Sequence, residues 1–197
     1  MTSKASKQEI LTAGVLAFAF AITMPVAFAT HGNTGESWTE PEQEYFCHSN
    51  LGDLNITNTV TDSVCDIIGD AANNWNGVAS SDWELTESSS SAIDFRSANL
   101  ASRGLVGIMN NWDIFGVIVT ANVELSTHAE FGDSTVDSDV YDIYTVIKHE
   151  MGHLPTLNHN AHSGDEGTSV MRAGPDIGYN AQRTITPNDA AALAGKY

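Results

Sequence analysis

The feature that most constrains the fold is a pair of histidines, His149 and His153, spaced four residues apart within a helical pattern. Apolar residues recur at helical spacing through this stretch, at Ile143, Val146, Ile147 and Met151. Residues four apart lie on one face of a helix, with their Cβ atoms about 5–6 Å apart. Both imidazoles can therefore reach a single zinc ion, whose bonds to nitrogen are about 2.0–2.1 Å long.

Glu150 lies on the same helix, about a third of a turn from His149. That position suits a carboxylate that holds a metal-activated water as general base, rather than one that binds the metal. A third imidazole, His159, follows six residues after His153. Three neutral nitrogen donors would leave one ligand position open for water. The alternative interpretation is that the histidines are buried and hydrogen-bonded without any metal.

Two later segments place this motif in a family context. Ser169-Val170-Met171 follows a polar, glycine-containing stretch, and Thr184 to Leu193 predicts a helix with Thr186 as N-cap and Pro187 as its first residue. In these features the chain from Tyr141 to Tyr197 resembles the metzincin clan of zinc peptidases, most closely its matrixin-type secreted members. In that family a methionine turn, here matched by Met171, lies beneath the metal.

The resemblance implies an α+β, zincin-like domain with a twisted mixed β-sheet, an active-site helix and a C-terminal helix after the methionine turn. It also implies a zinc endopeptidase in which His149, His153 and His159 bind one catalytic zinc ion. Glu150 would take a proton from the zinc-activated water and pass it to the leaving amine. Backbone groups of a strand near Val119 to Leu125 would pair with the extended substrate. The alternative is an exported zinc-binding surface or adhesion module of the same fold that does not cleave.

The chain departs from the family pattern at Thr156, where the family has glycine. A β-branched residue at positive φ costs about 1–3 kcal/mol, so we expect the turn to be made differently. Pro155 disfavours helix at the residue before it, which predicts a helix end just after His153 and a left-handed conformation at Asn158. If His159 missed the metal, Asp176 would be the alternative third ligand. The pro-segment cysteine motif of matrixins is absent from the sequence.

The first 29 residues have the pattern of a signal peptide. Lys4 and Lys7 precede a stretch without charge, Ile10 to Ala29, that ends in the small-x-small site Ala27-Phe28-Ala29. The prediction is cleavage after Ala29, which leaves residues 30–197 as a secreted domain or one at the extracellular face of the envelope. An uncleaved membrane anchor is the alternative, because twenty uncharged residues can just span a bilayer.

The charge balance restricts the partners. The chain carries 25 acidic and 8 basic residues, a formal net charge of −17. Cleavage would remove Lys4, Lys7 and Glu9, and would leave 24 acidic and 6 basic residues, a charge of −18. Such a surface repels nucleic-acid phosphates and anionic lipid headgroups. We expect a peptide or protein substrate, no nucleic acid, no membrane partner after cleavage, and a monomer.

The two cysteines, Cys47 and Cys65, are predicted to form a disulfide, because thiols oxidise outside the cytoplasm. The bridge would close a loop of about 19 residues and contribute about 3 kcal/mol. The alternative is that Cys47 is a latent zinc ligand of a pro-segment.

An acidic stretch and two scaffold elements complete the analysis. Asp133, Asp137 and Asp139 could hold Ca²⁺ but lack the spacing of a dedicated calcium loop, so a solvated acidic loop is the preferred interpretation. Apolar spacing predicts a helix from Val64 to Trp75 that stops at Asn76-Gly77. Gly116 to Val119 and Ala121 to Leu125 predict two strands, or one long strand bent near Thr120.

Overall fold

A computed structural model describes residues 35–159, 167–174 and 176–197; the predicted signal peptide, residues 1–29, lies outside them. The described residues fold into eight strands and three α-helices, joined by short 3-10 turns. The helices are α1 (Val64–Asn76), α2 (Ile143–Gly152) and α3 (Pro187–Ala194). The strands are β1 (Glu42–Cys47), β2 (Asn55–Ile56), β3 (Glu84–Glu87), β4 (Ile93–Ala98), β5 (Gly107–Ile114), β6 (Val117–Ser126), β7 (Glu130–Gly132) and β8 (Tyr141–Asp142). The α+β class is therefore as predicted.

Five strands form a mixed sheet in the order β3-β1-β4-β6-β5. The first four run parallel, and β5 pairs antiparallel with β6 through a two-residue hairpin. Side chains alternate across the sheet, so Ile93 and Phe95 of β4 are buried while the alternate residues Asp94 and Arg96 are partly exposed. A smaller parallel sheet, β2-β7-β8, leads directly into α2.

The pairing corrects one sequence-based expectation. Gly116 to Leu125 contributes a single strand, Val117–Ser126, with a register shift opposite Trp112 and Asp113, which agrees with the bent-strand alternative. This strand has β4 on one side and β5 on the other. From Ala121 to Leu125 its backbone is therefore already paired on both sides, and the expectation that this strand receives a substrate is wrong there. The edge strand on this side of the sheet is β5, and β3 forms the opposite edge.

Helix α1 forms as its sequence predicts. The hydroxyl of Ser63 caps it by accepting a hydrogen bond from the backbone N–H of Asp66, and the carboxylate of Asp66 accepts one from the backbone N–H of Ser63. The helix ends at Gly77 and buries one apolar face against the core. At the end of that face, Trp75 donates its indole N–H to the carbonyl of Lys148 at 3.0 Å and so joins α1 to α2.

The predicted disulfide is present. Cys47 at the end of β1 is bonded to Cys65 in the first turn of α1, with their Cα atoms 6.0 Å apart. Both cysteines of the chain are used, so Cys47 is not a free zinc-binding thiol in this fold. Among the helices of the described residues, none combines the length and apolar character that crossing a membrane requires.

Candidate metal centre

The candidate site residues His149 and Glu150 lie on α2, a helix buried inside the protein. Asp142 caps its start by accepting a hydrogen bond from the backbone N–H of Thr145 at 2.9 Å, and Arg183 holds the same carboxylate in place. Every residue of α2 except Tyr144 is buried. A helix enclosed on nearly all sides has little freedom to move, so the side chains on its inner face are rigidly placed.

Three imidazoles meet at the C-terminal end of α2. Nε2 of His149 lies 3.1 Å from Nε2 of His153 and 3.2 Å from Nε2 of His159. Among the described residues, these three form the one group of His, Cys, Asp or Glu side chains whose ligand atoms, all within 4.8 Å of one another, could hold a metal ion. A tetrahedral ion with bonds of about 2.0–2.1 Å places its ligands about 3.3–3.4 Å apart. The observed separations therefore fit such an ion.

The other ring nitrogens orient two of these imidazoles. Nδ1 of His149 lies 2.6 Å from the carbonyl oxygen of Val170, and Nδ1 of His153 lies 2.7 Å from that of Leu157. A carbonyl only accepts, so each Nδ1 carries the proton and donates it. Each Nε2 is then left with the lone pair that a metal requires.

Burial keeps the three rings neutral. It lowers the pKa of His149 well below its usual value, with a further contribution from neighbouring His153. It also lowers the pKa of His153 to about 3, and that of His159 in the same direction. Neutral imidazole is the form that binds metal, so this donor set is ready for a cation near neutral pH.

The chain reaches His159 by a turn that contradicts the expectation for Thr156. Helix α2 ends at Gly152 with His153 as its C-cap, close to the predicted end, but Thr156 itself adopts a left-handed conformation with φ of 62°. Asn158 does not, so that expectation is wrong as well. Thr156 is held by its N–H, which donates to the carbonyl of His153 at 2.9 Å, and by its hydroxyl, which accepts from Lys196. Tertiary contacts thus enforce a backbone conformation that the residue type disfavours.

The alternative ligands lie elsewhere. Asp176 is exposed and pairs with Arg172 at 3.2 Å, outside the histidine group. The acidic stretch is not simply solvated, because Asp133 is partly buried and accepts from Arg183 at 2.6 Å. Asp137 accepts from the backbone N–H of Asp139 at 2.9 Å. Within the described residues these carboxylates do not converge into a group that could hold a metal.

Glu150 is completely buried beside the histidines. Neither carboxylate oxygen makes a well-formed hydrogen bond among the described residues. Burial raises the pKa of Glu150 well above its usual value, and the nearby backbone N–H of Met109 on β5 acts in the opposite direction. A Cβ added to Gly107 would lie 2.8 Å from Oε1 of Glu150, so the carboxylate abuts the first residue of edge strand β5. A buried carboxylate without partners costs stability, and such groups are concentrated at functional sites.

The segment around Met171 packs against the C-terminal end of α2. Met171 is buried, and a Cβ added to Gly152 would collide with its sulfur and with the ring of Trp75. The absence of a side chain at Gly152 is therefore what allows this close approach. His149, His153, His159, Glu150 and Met171, singled out from the sequence, are all brought together.

Sequence reasoning missed the role of Asp189. Its carboxylate lies in the first turn of α3 and accepts from the N–H of Val170 at 3.0 Å and from the hydroxyl of Ser169 at 2.6 Å. It also completes a capping box with Thr186. The spacing Thr186-x-x-Asp189 signals the cap, but nothing in the sequence signals the contact with residues 169 and 170.

Comparison of the chain with protein-family models and with curated proteins found no match. What the fold and the site define by themselves is an α+β protein with a mixed sheet and a group of three histidines that could hold a metal ion.

Proposed function

We propose that the protein is an exported, zinc-dependent endopeptidase of the metzincin class. One observation carries the proposal: three neutral imidazole nitrogens converge beside a completely buried carboxylate, that of Glu150. The disulfide between Cys47 and Cys65 supports export, because such bonds persist outside the cytoplasm. The sequence resemblance between Tyr141 and Tyr197 points to the same class.

The donor set favours zinc. His149, His153 and His159 would hold it, and three neutral nitrogens with an open fourth position are the ligand set of catalytic zinc sites. When bound, zinc acts as a Lewis acid that acidifies water and polarises a carbonyl group. The two carbonyls of Val170 and Leu157 keep His149 and His153 in the tautomer that this role requires.

Glu150 moves the proton. As a carboxylate it accepts one proton from the attacking water, and it then delivers that proton to the nitrogen of the peptide bond that breaks. The products are a carboxylic acid and a free amine, and Glu150 returns to its starting state. Burial raises the pKa of Glu150, which brings its proton affinity closer to neutral pH and suits it to act as base and then acid.

Edge strand β5 aligns the substrate. It is paired with β6 on one side, and its first residue, Gly107, contacts Glu150. An extended peptide can add to the free edge of such a strand through backbone hydrogen bonds. The peptide bond to be cleaved would then run past the histidines, while Gly107 leaves room for the carboxylate.

The test is hydrolysis of a mixture of quenched fluorescent peptides by the zinc-loaded chain. We expect hydrolysis by the wild type, loss of at least about 100-fold in Glu150→Gln, and unchanged zinc content in that variant, since Glu150 is not a ligand. Glu84→Gln, an exposed glutamate on β3, is the matched control and should retain full activity.

The same experiment decides the alternative. A non-cleaving zinc module would bind one zinc ion per chain and hydrolyse no peptide in either form. Its support is the strained turn at Thr156, which departs from the family pattern. Failure to bind zinc at all would contradict both functions.

A further inference from the structure

The tip of the β5–β6 hairpin is an exposed apolar surface that the proposed chemistry does not use. Seven large apolar side chains are exposed among the described residues, and five of them lie on this hairpin. Their exposed fractions are 53% for Trp112, 58% for Ile114, 102% for Phe115, 39% for Val117 and 44% for Val119. Scattered single apolar residues are normal on a protein surface, whereas such a concentration marks an interaction site.

The residue at the tip is unfavourable for the turn that it makes. Phe115 and Gly116 form the two-residue loop, with φ of 56° and 83°. Two successive positive φ values are typical of a type I′ turn, which favours Asn-Gly or Asp-Gly. Glycine fits at the second position, but phenylalanine at the first adopts a conformation that a bulky side chain disfavours. The side chain of Phe115 is fully exposed, so burial within the fold does not offset this strain, which favours a contact outside the fold.

The N-terminal part of the chain enters the fold beside this tip. The N–H of Ser37 donates to the carbonyl of Gly116 at 3.1 Å, and the N–H of Ile118 donates to the carbonyl of Ser37 at 2.9 Å. The sequence before Gly35 contains the uncharged stretch Ile10 to Ala29, which has the pattern of a segment that enters a membrane during export. The five residues between Ala29 and Gly35 can span at most about 18 Å. For as long as this stretch remains attached and lies in the membrane, it holds the tip within reach of the lipid surface.

We propose that the tip of the β5–β6 hairpin, formed by Trp112, Ile114 and Phe115, inserts into the interface of a zwitterionic lipid bilayer. Trp and other large apolar side chains are the residues that occupy this interface. From Gly107 to Leu125 the hairpin carries two acidic residues, Asp113 and Glu124, and no lysine or arginine. It therefore has no attraction for anionic headgroups, and the acidic protein as a whole repels them. The proposal concerns the chain that retains residues 1–29; the expectation of no membrane partner applied to the chain after cleavage.

The insertion would also orient the histidine group. Gly107, beside Glu150, begins the strand that ends at Ile114. Ile114 follows Gly107 by seven positions, which in an antiparallel strand corresponds to about 24 Å. The tip therefore lies far from the site. Lipid contact at the tip leaves the site accessible, whether or not the chain is a peptidase.

The experiment uses Trp112 as a native probe. The other three tryptophans, Trp38, Trp75 and Trp83, are buried. The full chain is reconstituted into phosphatidylcholine vesicles whose acyl chains carry bromine, and its fluorescence is compared with that of Trp112→Phe. We expect bromine to quench at least twice as much of the wild-type emission as of the variant, and quenching to fall when phosphatidylglycerol replaces part of the lipid.

Phe115→Asn separates lipid contact from folding. Asparagine suits the type I′ turn, so this variant should unfold at a higher temperature than the wild type and yet show Trp112 quenching reduced by at least half. Val136→Asn, at an exposed apolar position elsewhere, should leave the quenching unchanged.

Three outcomes would overturn the proposal. Quenching of the wild type no greater than that of Trp112→Phe would mean that the tip does not reach the lipid. Unchanged quenching in Phe115→Asn would mean that the tip is not the inserting part. Protection of Trp112 from aqueous acrylamide without quenching by bromine would mean that protein covers the tip. Loss of that protection on dilution in lipid would identify a second copy, and its persistence would identify the N-terminal segment.

Discussion

Asp189 accepts a hydrogen bond from the backbone N–H of Val170 at 3.0 Å. The carbonyl of Val170 in turn accepts a hydrogen bond from Nδ1 of His149 at 2.6 Å. A buried carboxylate on the C-terminal helix is thus connected, through one peptide residue, to a candidate metal ligand on α2. The connection fixes the position of the carbonyl, and the carbonyl fixes the orientation of the imidazole.

Replacing Asp189 should therefore weaken metal binding. We expect Asp189→Ala to reduce zinc affinity about 10- to 100-fold, because the carbonyl of Val170 is no longer held. It should also lower stability by at least about 1 kcal/mol through loss of the capping box with Thr186. Competition with a chelator measures the affinity, and urea unfolding measures the stability.

Asp66→Ala is the matched control, because Asp66 completes the equivalent capping box of α1 with Ser63, far along the chain from the site. It should lose similar cap stability and keep its zinc affinity. An equal loss of zinc affinity in both variants would show that Asp189 acts only through folding.

Glu150→Gln should stabilise the metal-free protein. Burial raises the pKa of Glu150 in the folded state above its value in the unfolded chain. Below about pH 4.5 the carboxyl is protonated in both states and does not reduce the free energy of unfolding. As the pH rises from there towards the folded pKa, the unfolded chain ionises first, so the free energy of unfolding falls. The loss is about 1.4 kcal/mol per pH unit over that interval. Glutamine does not ionise, so the advantage of the variant should be small at pH 4 and grow towards pH 7.

Chemical unfolding of metal-free protein across this range checks the prediction. Glu84→Gln, on the exposed face of β3, should show no such growing difference. A constant difference for Glu150→Gln would show that ionisation of the buried carboxyl does not limit stability.

The backbone strain at Thr156 can be tested by comparing two substitutions that shorten its side chain. Thr156→Gly and Thr156→Ala both remove the hydroxyl that accepts from Lys196, but only alanine retains a Cβ at φ of 62°. We expect the glycine variant to be more stable than the alanine variant by about 1 kcal/mol. At Thr86, an exposed strand position, the order should reverse. Thermal unfolding of the four proteins measures both differences, and the same order at both sites would contradict the strain.

Gly107→Ala should lower activity without removing the metal. The added Cβ would lie 2.8 Å from Oε1 and 2.9 Å from Cγ of Glu150, so the carboxylate must shift. A misplacement of about 1 Å in a catalytic group costs about 100-fold in rate. Gly52→Ala, with nothing within 4 Å of its added Cβ, is the control. Zinc content and peptide hydrolysis are measured together; full activity in Gly107→Ala would mean that the reaction does not require the close approach of Gly107 to Glu150.

Replacing both cysteines should destabilise the fold but spare the site. The bridge between Cys47 and Cys65 spans 18 residues, and its loss should cost about 3 kcal/mol by freeing the unfolded chain. The double variant Cys47→Ser with Cys65→Ser should therefore unfold at lower urea concentration and still bind zinc at low temperature. Loss of zinc binding before unfolding would show that the bridge also positions α2.

Local patterns in the sequence were enough for the elements and for the first two candidate ligands. The spacing of His149 and His153 depends only on the helical repeat, and helix α1 follows from its apolar face and its cap. The disulfide followed because the chain has only two cysteines to pair. In each case the information lies within a few residues or in the composition.

Long-range contacts decided the rest. Thr156 adopts a positive φ because Lys196, 40 residues later, and the surrounding core hold it there, against the preference of its residue type. β5 rather than β6 is the edge strand because of strand order, which no local pattern encodes. Asp189 meets Val170 because the first turn of α3 lies against the segment that contains Ser169 and Val170. The sequence by itself determined which residues could bind a metal and which segments are helical. Only the tertiary structure decided how the third histidine arrives, because burial and packing over long chain distances can outweigh the conformational preference of a single residue.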